Sequence, residues 1–133
     1  MMVANKTDML RVLVVDDEQD IREGSERILS RVGFQVITAS RGEEALEKLN
    51  KVGAEIVLLD LKMPGIDGME ILKQVKATRP EIEVIVLTGH GSEADRKQCM
   101  QLGAFAYMQT PVDIDELSAT LKKAHEKIQQ FKS

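Results

Sequence analysis

Short apolar runs alternate with longer stretches of helical periodicity along this chain. Val12-Leu-Val-Val15, Ile56-Val-Leu-Leu59 and Val84-Ile-Val-Leu87 are continuous and rich in β-branched residues. Such runs suit strands buried on both faces of a parallel sheet. Phe34-Gln-Val-Ile37 is broken by Gln35 and suits an edge, and Phe105-Ala-Tyr-Met108 is a weaker fifth run. Helix start signals stand between the runs. Ser40 with Glu43, Asp67 with Glu70, Ser92 with Asp95 and Asp113 with Glu116 each resemble a capping box. The first helix carries Ile21, Ser25, Ile28, Leu29 and Val32 on one face, and the last carries Ile114, Leu117, Leu121, Ala124, Ile128 and Phe131. Two heptads are too few to specify a coiled coil, so the last stripe is expected to dock on the sheet. Gly33, Gly53 and Gly103 each close a helix ahead of a strand.

Five strand-then-helix units predict an open, doubly wound α/β sheet. In 133 residues they predict one domain over residues 10–130, with 1–9 and 131–133 as flexible ends. Composition narrows the functions available. The only aromatics are Phe34, Phe105, Tyr107 and Phe131, too scattered for a base-stacking platform. The net charge of −4 argues against binding nucleic acid or a membrane surface. Cys99 is the only cysteine, which excludes an internal disulfide and a Cys-rich zinc site and suits a cytoplasmic location. No apolar run is long enough to span a bilayer.

In an open α/β sheet, ligands bind beyond the carboxyl ends of the strands, where strand order reverses. The first central run is followed by Asp16, Asp17 and Glu18, the third run by Asp60, and the fourth by Thr88 and Gly89. Crowded carboxylates repel one another unless a cation or a raised pKa relieves them. Mg²⁺ suits a few carboxylates plus water. Capping of the first helix accounts for an acid such as Asp17 or Glu18. It does not account for Asp60, which ends a wholly apolar run. No phosphate-gripping G-x-x-x-x-G-K-[ST] loop and no G-x-G-x-x-G motif is present. The acidic first loop also disfavours a flavin phosphate. Asp60 as a phosphoryl-accepting nucleophile, with a metal and the Thr88 hydroxyl, fits the set. The donor would be a phosphorylated partner or a small phospho-compound.

Val12-Leu-Val-Val-Asp-Asp-Glu18, Asp60-Leu-Lys-Met-Pro-Gly-Ile-Asp-Gly68, Leu87-Thr-Gly89 and Gly103-Ala-Phe-Ala-Tyr107 with Pro111 closely resemble the receiver domain of two-component response regulators. The resemblance runs from about Arg11 to about Ile128. It implies a flavodoxin-like (βα)5 fold with strand order 2-1-3-4-5. It implies Asp60 as phosphoacceptor. Asp17, Asp60 and the Lys62 backbone carbonyl would ligate Mg²⁺, with Asp16 acting mostly through water. Thr88 would be the switch hydroxyl and Tyr107 the switch aromatic. Met63-Pro64-Gly65 and Gly68 would shape the adjoining loop. The donor would be a sensor histidine kinase or histidine phosphotransfer protein. A downstream protein would dock on the fourth helix, fifth strand and fifth helix, and the chain would be a monomer or weak dimer.

One departure stands out. The family places a lysine just before the proline after the fifth strand, and Thr110 holds that place here. No basic residue lies between Ala104 and Pro111. Asp16, Asp17, a phosphoryl group and Mg²⁺ sum to a charge near −2, where the lysine would leave about −1. A unit-charge contact at ~4 Å is worth about 4 kcal/mol gross at an effective dielectric of about 20, and much less after desolvation. Phosphorylation is therefore expected to persist and its coupling to the last strand and helix to weaken. Lys62, two residues after Asp60, is the candidate to supply part of the charge. His90 is placed near the site or in a solvated loop. His125 is expected on a helix surface, Cys99 as packing, and Lys122, Lys123, Lys127 and Lys132 on a solvated face. The helix from Ser92 to Leu102 has few large apolar residues, Met100 and Leu102 being the clearest, and such weak anchoring would suit an element that shifts between two states.

Two other readings compete with the phosphoacceptor module. One is a pseudo-receiver acting without phosphorylation. The other is an aspartyl-phosphate phosphohydrolase of the haloacid-dehalogenase kind, against which stands Lys62 where a second acid belongs.

Overall fold

The computed structural model describes residues 10–132 apart from Pro64, Ile66 and His90, with the backbone alone for Phe131 and Lys132. The expectations for residues 1–9, Pro64, His90 and Ser133, and for the side chains of Phe131 and Lys132, lie outside the described residues.

Ten elements alternate as the apolar pattern requires. They are β1 (Arg11–Val15), α1 (Gln19–Arg31), β2 (Gln35–Ala39), α2 (Gly42–Lys51), β3 (Ile56–Leu59), α3 (Gly68–Thr78), β4 (Glu83–Thr88), α4 (Glu93–Gln101), β5 (Ala106–Gln109) and α5 (Ile114–Lys132). All neighbouring strands pair in parallel, in the order β2-β1-β3-β4-β5. The interrupted second run is indeed an edge. The final helix continues through Lys132, across two residues of the expected end.

Strand side chains alternate between faces, and two separate cores follow. Leu13, Val15, Val57, Leu59, Val84 and Val86 pack with Ala45 and Leu49 of α2, Ile71, Leu72 and Val75 of α3, and Cys99 of α4. Val12, Val14, Ile56, Leu58 and Ile85 pack with Leu29 of α1 and with Leu117, Leu121, Ala124 and Ile128 of α5. Leu117, Leu121, Ala124 and Ile128 of the α5 stripe thus dock on the sheet, whereas Ile114 is exposed.

Several local expectations need correction. Ser40 bonds Glu44 rather than Glu43: its amide and hydroxyl both donate to Glu44 Oε1, at 2.8 and 3.0 Å. The N-cap of α2 is Arg41, with no side-chain cap. Glu18 is the N-cap of α1 and also lacks a side-chain cap bond. Ile21 and Val32 are exposed, because only the Leu29 part of the α1 face meets the sheet. In α4 the buried residue is Cys99, while Met100 is exposed and Leu102 only partly buried. His125 is half-buried, edge-on to Phe34 with ring centroids 6.3 Å apart.

Lys127 is not simply solvated. Its Nζ lies 3.1 Å from Glu83 Oε2 and 5.6 Å from the Phe105 ring centre. Glu83 opens β4, one residue before the recognised apolar run, and is buried. A sequence gives no sign of that burial, because a charged strand end is ordinarily exposed.

Candidate functional site

Strand register assembles the site. Val15 pairs with Leu59, and Leu59 with Val86, so β1 and β3 end level with one another and β4 runs two residues further, to Thr88. The Asp60 amide donates to the Val15 carbonyl at 3.0 Å, which sets Asp60 beside the acids that follow β1. Carboxylate oxygens of Asp16, Asp17 and Asp60 all lie within 4.8 Å of one another. Asp16 and Asp60 are buried, whereas Asp17 is exposed.

An open cleft of about 570 Å³ covers these acids. Glu18, Ile21, Lys62, Leu87, Gly89 and Thr110 also line it. Ile21, on the apolar face of α1, lies at the cleft and not in the core. Thr110, in the expected lysine place, does reach the site: its amide donates to Thr88 O at 3.0 Å. Its Oγ1 stands 2.8 Å from where a Cβ on Gly89 would be. Arg22, which sequence reasoning passed over, donates to the Asp16 carbonyl at 2.8 Å.

Two backbone amides stabilise the acids locally. Glu18 N donates to Asp16 Oδ1 at 2.9 Å, and Lys62 N to Asp60 Oδ1 at 3.3 Å. Even so, the Asp16 carboxyl is pushed up from 3.8 to about 6. Burial is the largest cause, and the charges of Asp60 and Asp17 add to it against the Glu18 amide. Three converging hard oxygen donors, one held partly protonated by its surroundings, fit a divalent cation well.

Below about pH 4, Asp16 is protonated whether the chain is folded or not. Between about pH 4 and pH 6 unfolding releases its proton, so Asp16 lowers folded stability as pH rises through that window. A cation that favours ionised Asp16 reverses the penalty. Millimolar Mg²⁺ is therefore expected to raise Tm at pH 7.5 and to do little at pH 5. Equal shifts at both pH values, read by thermal unfolding, would contradict this site.

Thr88 and Tyr107 meet beside the cleft. Thr88 is buried at the end of β4. The Tyr107 hydroxyl is buried and makes no hydrogen bond among the described residues. Burial holds its phenol above the ordinary value, and the Asp95 charge adds to this. A Cβ on Gly91 would overlap that hydroxyl and stand 3.0 Å from Thr88 Cγ2. Gly91 thus makes the space that Tyr107 fills. Sequence reasoning missed it, although Gly89 and Gly91 bracketing one residue was a usable signal. An unsatisfied buried hydroxyl costs roughly 1–3 kcal/mol, so this inward position is only weakly held. Gly91→Ala is expected to drive Tyr107 outward. Since Tyr107 is the only tyrosine and the chain has no tryptophan, its fluorescence reads the change directly. Quenching by acrylamide should increase and the phenol pKa fall toward 10; an unchanged tyrosine signal would refute the steric account.

The loop after β3 is held by close approach. Gly65 has φ +84°, in the left-handed region that favours glycine. Gly68 N donates to Leu61 O at 3.0 Å. Asp67 caps α3 by accepting from Met69 N at 2.6 Å.

Comparison with known proteins agrees with this arrangement. The family model described as response regulator receiver domain matches residues 12–122. The chain belongs to the response regulator receiver family. Sporulation initiation phosphotransferase F of Bacillus subtilis (strain 168) is 37% identical over 113 residues, covering 85% of this chain and 91% of that protein. The DNA-binding transcriptional regulator NtrC of Escherichia coli (strain K12) is 40% identical across 85% of this chain. The match spans only 24% of NtrC's length. Among solved structures, a CheY-like receiver domain protein from Methanospirillum hungatei JF-1 superposes with a TM-score of 0.88 at 29% identity. It covers 92% of this chain and 98% of that one. A receiver domain from Clostridium thermocellum gives 0.87 at 34% identity, with 92% and 99% covered. This receiver domain is a signalling module, homologous to the phosphoacceptor domains of response regulators. Receiver domains of that kind interact with histidine kinases and phosphotransfer proteins. Among the described residues, no helix is long and apolar enough to cross a membrane.

Proposed function

We propose that this receiver domain accepts a phosphoryl group on Asp60 from a sensor histidine kinase or histidine phosphotransfer protein. The supporting observation is the convergence of Asp16, Asp17 and Asp60 within one cleft that Thr110 also lines. An Asp60 carboxylate oxygen attacks phosphorus, the phosphorus–nitrogen bond of the donor phosphohistidine breaks, and the imidazole leaves with the bond's electron pair. Asp16, Asp17, Asp60 and the Lys62 carbonyl would hold Mg²⁺. Bound there, Mg²⁺ neutralises phosphoryl oxygens during transfer. Thr88 then turns its hydroxyl to an arriving oxygen, and Tyr107 follows it as the switch aromatic. Hydrolysis of its own phosphoaspartate is the only other reaction of the domain.

The altered surface lies on α4, β5 and α5, where a downstream protein would bind. A cytoplasmic monomer or weak dimer fits this role. The phosphorylation-independent reading is not favoured, because the acids needed for transfer are present and gathered. The phosphohydrolase reading is weaker still, with Lys62 in place of an acid. Incubation with labelled acetyl phosphate and Mg²⁺ separates the three. One label per chain supports the receiver reading, no label overturns it, and sustained release of phosphate from unrelated esters identifies an enzyme.

A further inference from the structure

Lys62 connects two parts of the molecule. Its backbone amide donates to Asp60 Oδ1 at 3.3 Å, while its Nζ lies 3.8 Å from Asp95 Oδ2 in the first turn of α4. Among the described residues lining the cleft, Asp16, Asp17, Glu18 and Asp60 are acidic and Lys62 alone is cationic. Thr110, where a lysine would otherwise stand, brings a hydroxyl and no charge. Arg22 is engaged on the α1 side, at the Asp16 carbonyl.

The Lys62–Asp95 pair is loose. Its separation exceeds hydrogen-bond range, and the lysine side chain is 54% exposed. Such pairs contribute little in water. Asp95 Oδ2 is shared with Ser92 N at 3.2 Å, the return bond of the α4 capping box. The helix it starts is lightly anchored, with Cys99 as its buried residue. A phosphoryl group on Asp60 would add about two negative charges beside Lys62. Asp95 offers one, at 3.8 Å from a half-exposed ammonium.

We propose that Lys62 is the phosphoryl-sensing cation of this domain: on phosphorylation its ammonium leaves Asp95 for the phosphoryl oxygens, and the first turn of α4 is released. This rests on Asp60 being the phosphoacceptor. It places the coupling on the β3 side of the cleft, in a chain that has no lysine on the β5 side. Tyr107 lines one pocket with Ser92 and Glu93 of that same turn, so the released turn and the tyrosine belong to one rearrangement.

The test uses the full chain with Mg²⁺ and labelled acetyl phosphate, and reads the backbone amide NMR signals of Ser92 and Asp95. In the unaltered protein those signals should shift when label is incorporated. Lys62→Gln keeps the backbone carbonyl and removes the charge. It is expected to lower accumulated label about tenfold, the low end for a charge-assisted hydrogen bond. Its Ser92 and Asp95 signals should already resemble the phosphorylated state. Lys62→Arg should restore both properties. Thr110→Lys added to Lys62→Gln should restore label but not the α4 response, since that ammonium has no tie to Asp95. Full labelling of Lys62→Gln, an unaltered α4 response in it, or failure of Thr110→Lys to restore label each overturns the role of Lys62. Absence of label from the unaltered chain overturns the phosphoacceptor reading itself.

Discussion

Asp60→Asn is expected to abolish phosphoryl labelling, by at least about a hundredfold, while leaving a folded chain that is more stable without metal. The nucleophile is the ionised carboxylate, and an amide oxygen of the same shape is a far weaker one. The stability change has the opposite sign because Asp60 is buried within 4.8 Å of two other carboxylates. Removing one charge relieves Asp16, whose raised pKa owes part of its shift to Asp60. A gain of ~1 kcal/mol is reasonable for one buried like-charge contact, or about 3–5 °C in a domain of this size. The Mg²⁺-induced rise in Tm should shrink in parallel, since one of three charged ligands is gone. Labelling and thermal unfolding of the same sample test both halves. A variant that still labels would remove Asp60 from its assigned role. One that loses label because it unfolds would contradict the expected gain in stability.

Gly68→Ala should be the most damaging single methyl addition near the site. A Cβ there would stand 2.5 Å from the Asp60 carbonyl oxygen and 2.6 Å from Leu61 Cα. Both are backbone atoms, so no side-chain rotation can make room. Either α3 withdraws, with its Asp67 cap, or the chain around Asp60 moves. Overpacking of this kind costs about 2–3 kcal/mol, enough to lower Tm by roughly 10 °C. Labelling should fall about a hundredfold as well, because small displacements of reacting groups are costly. Gly24→Ala is the control. Nothing lies within 4 Å of a Cβ on Gly24, which sits in the interior of α1. That change should stabilise by roughly 0.5–1 kcal/mol through helix propensity. If the two variants unfold at the same temperature, close approach at Gly68 is not what holds the loop.

The legible and illegible parts of this protein divide along physical lines. Continuous apolar runs located the central strands to within a residue or two, since only buried parallel strands read that way. Helix faces were less certain. Periodicity identifies an apolar stripe, but neighbouring elements decide how much of it is covered. Ile21 and Val32 belong to the same stripe as Leu29, yet only Leu29 is buried. Cys99 was recognised as packing without being recognised as the buried anchor of α4, because its short side chain carries a weak hydropathy signal beside Met100.

Local order along the chain already sets acids and a threonine after three central strands, and parallel pairing then leaves them at one edge. That outcome needs only apolar runs that end in polar residues, so it depends on local order along the chain. Which distant groups approach one another depends on the packed fold. Lys62 meets Asp95, the Tyr107 hydroxyl occupies the space beside Gly91, and Glu83 is buried against Lys127. Each contact joins segments separated by at least one full element, across distances set by strand order and register. Hydrophobic patterning constrains which face a residue occupies. It carries no information about the few ångströms that separate an ion pair from two solvated charges, and those ångströms define the switch region of this domain.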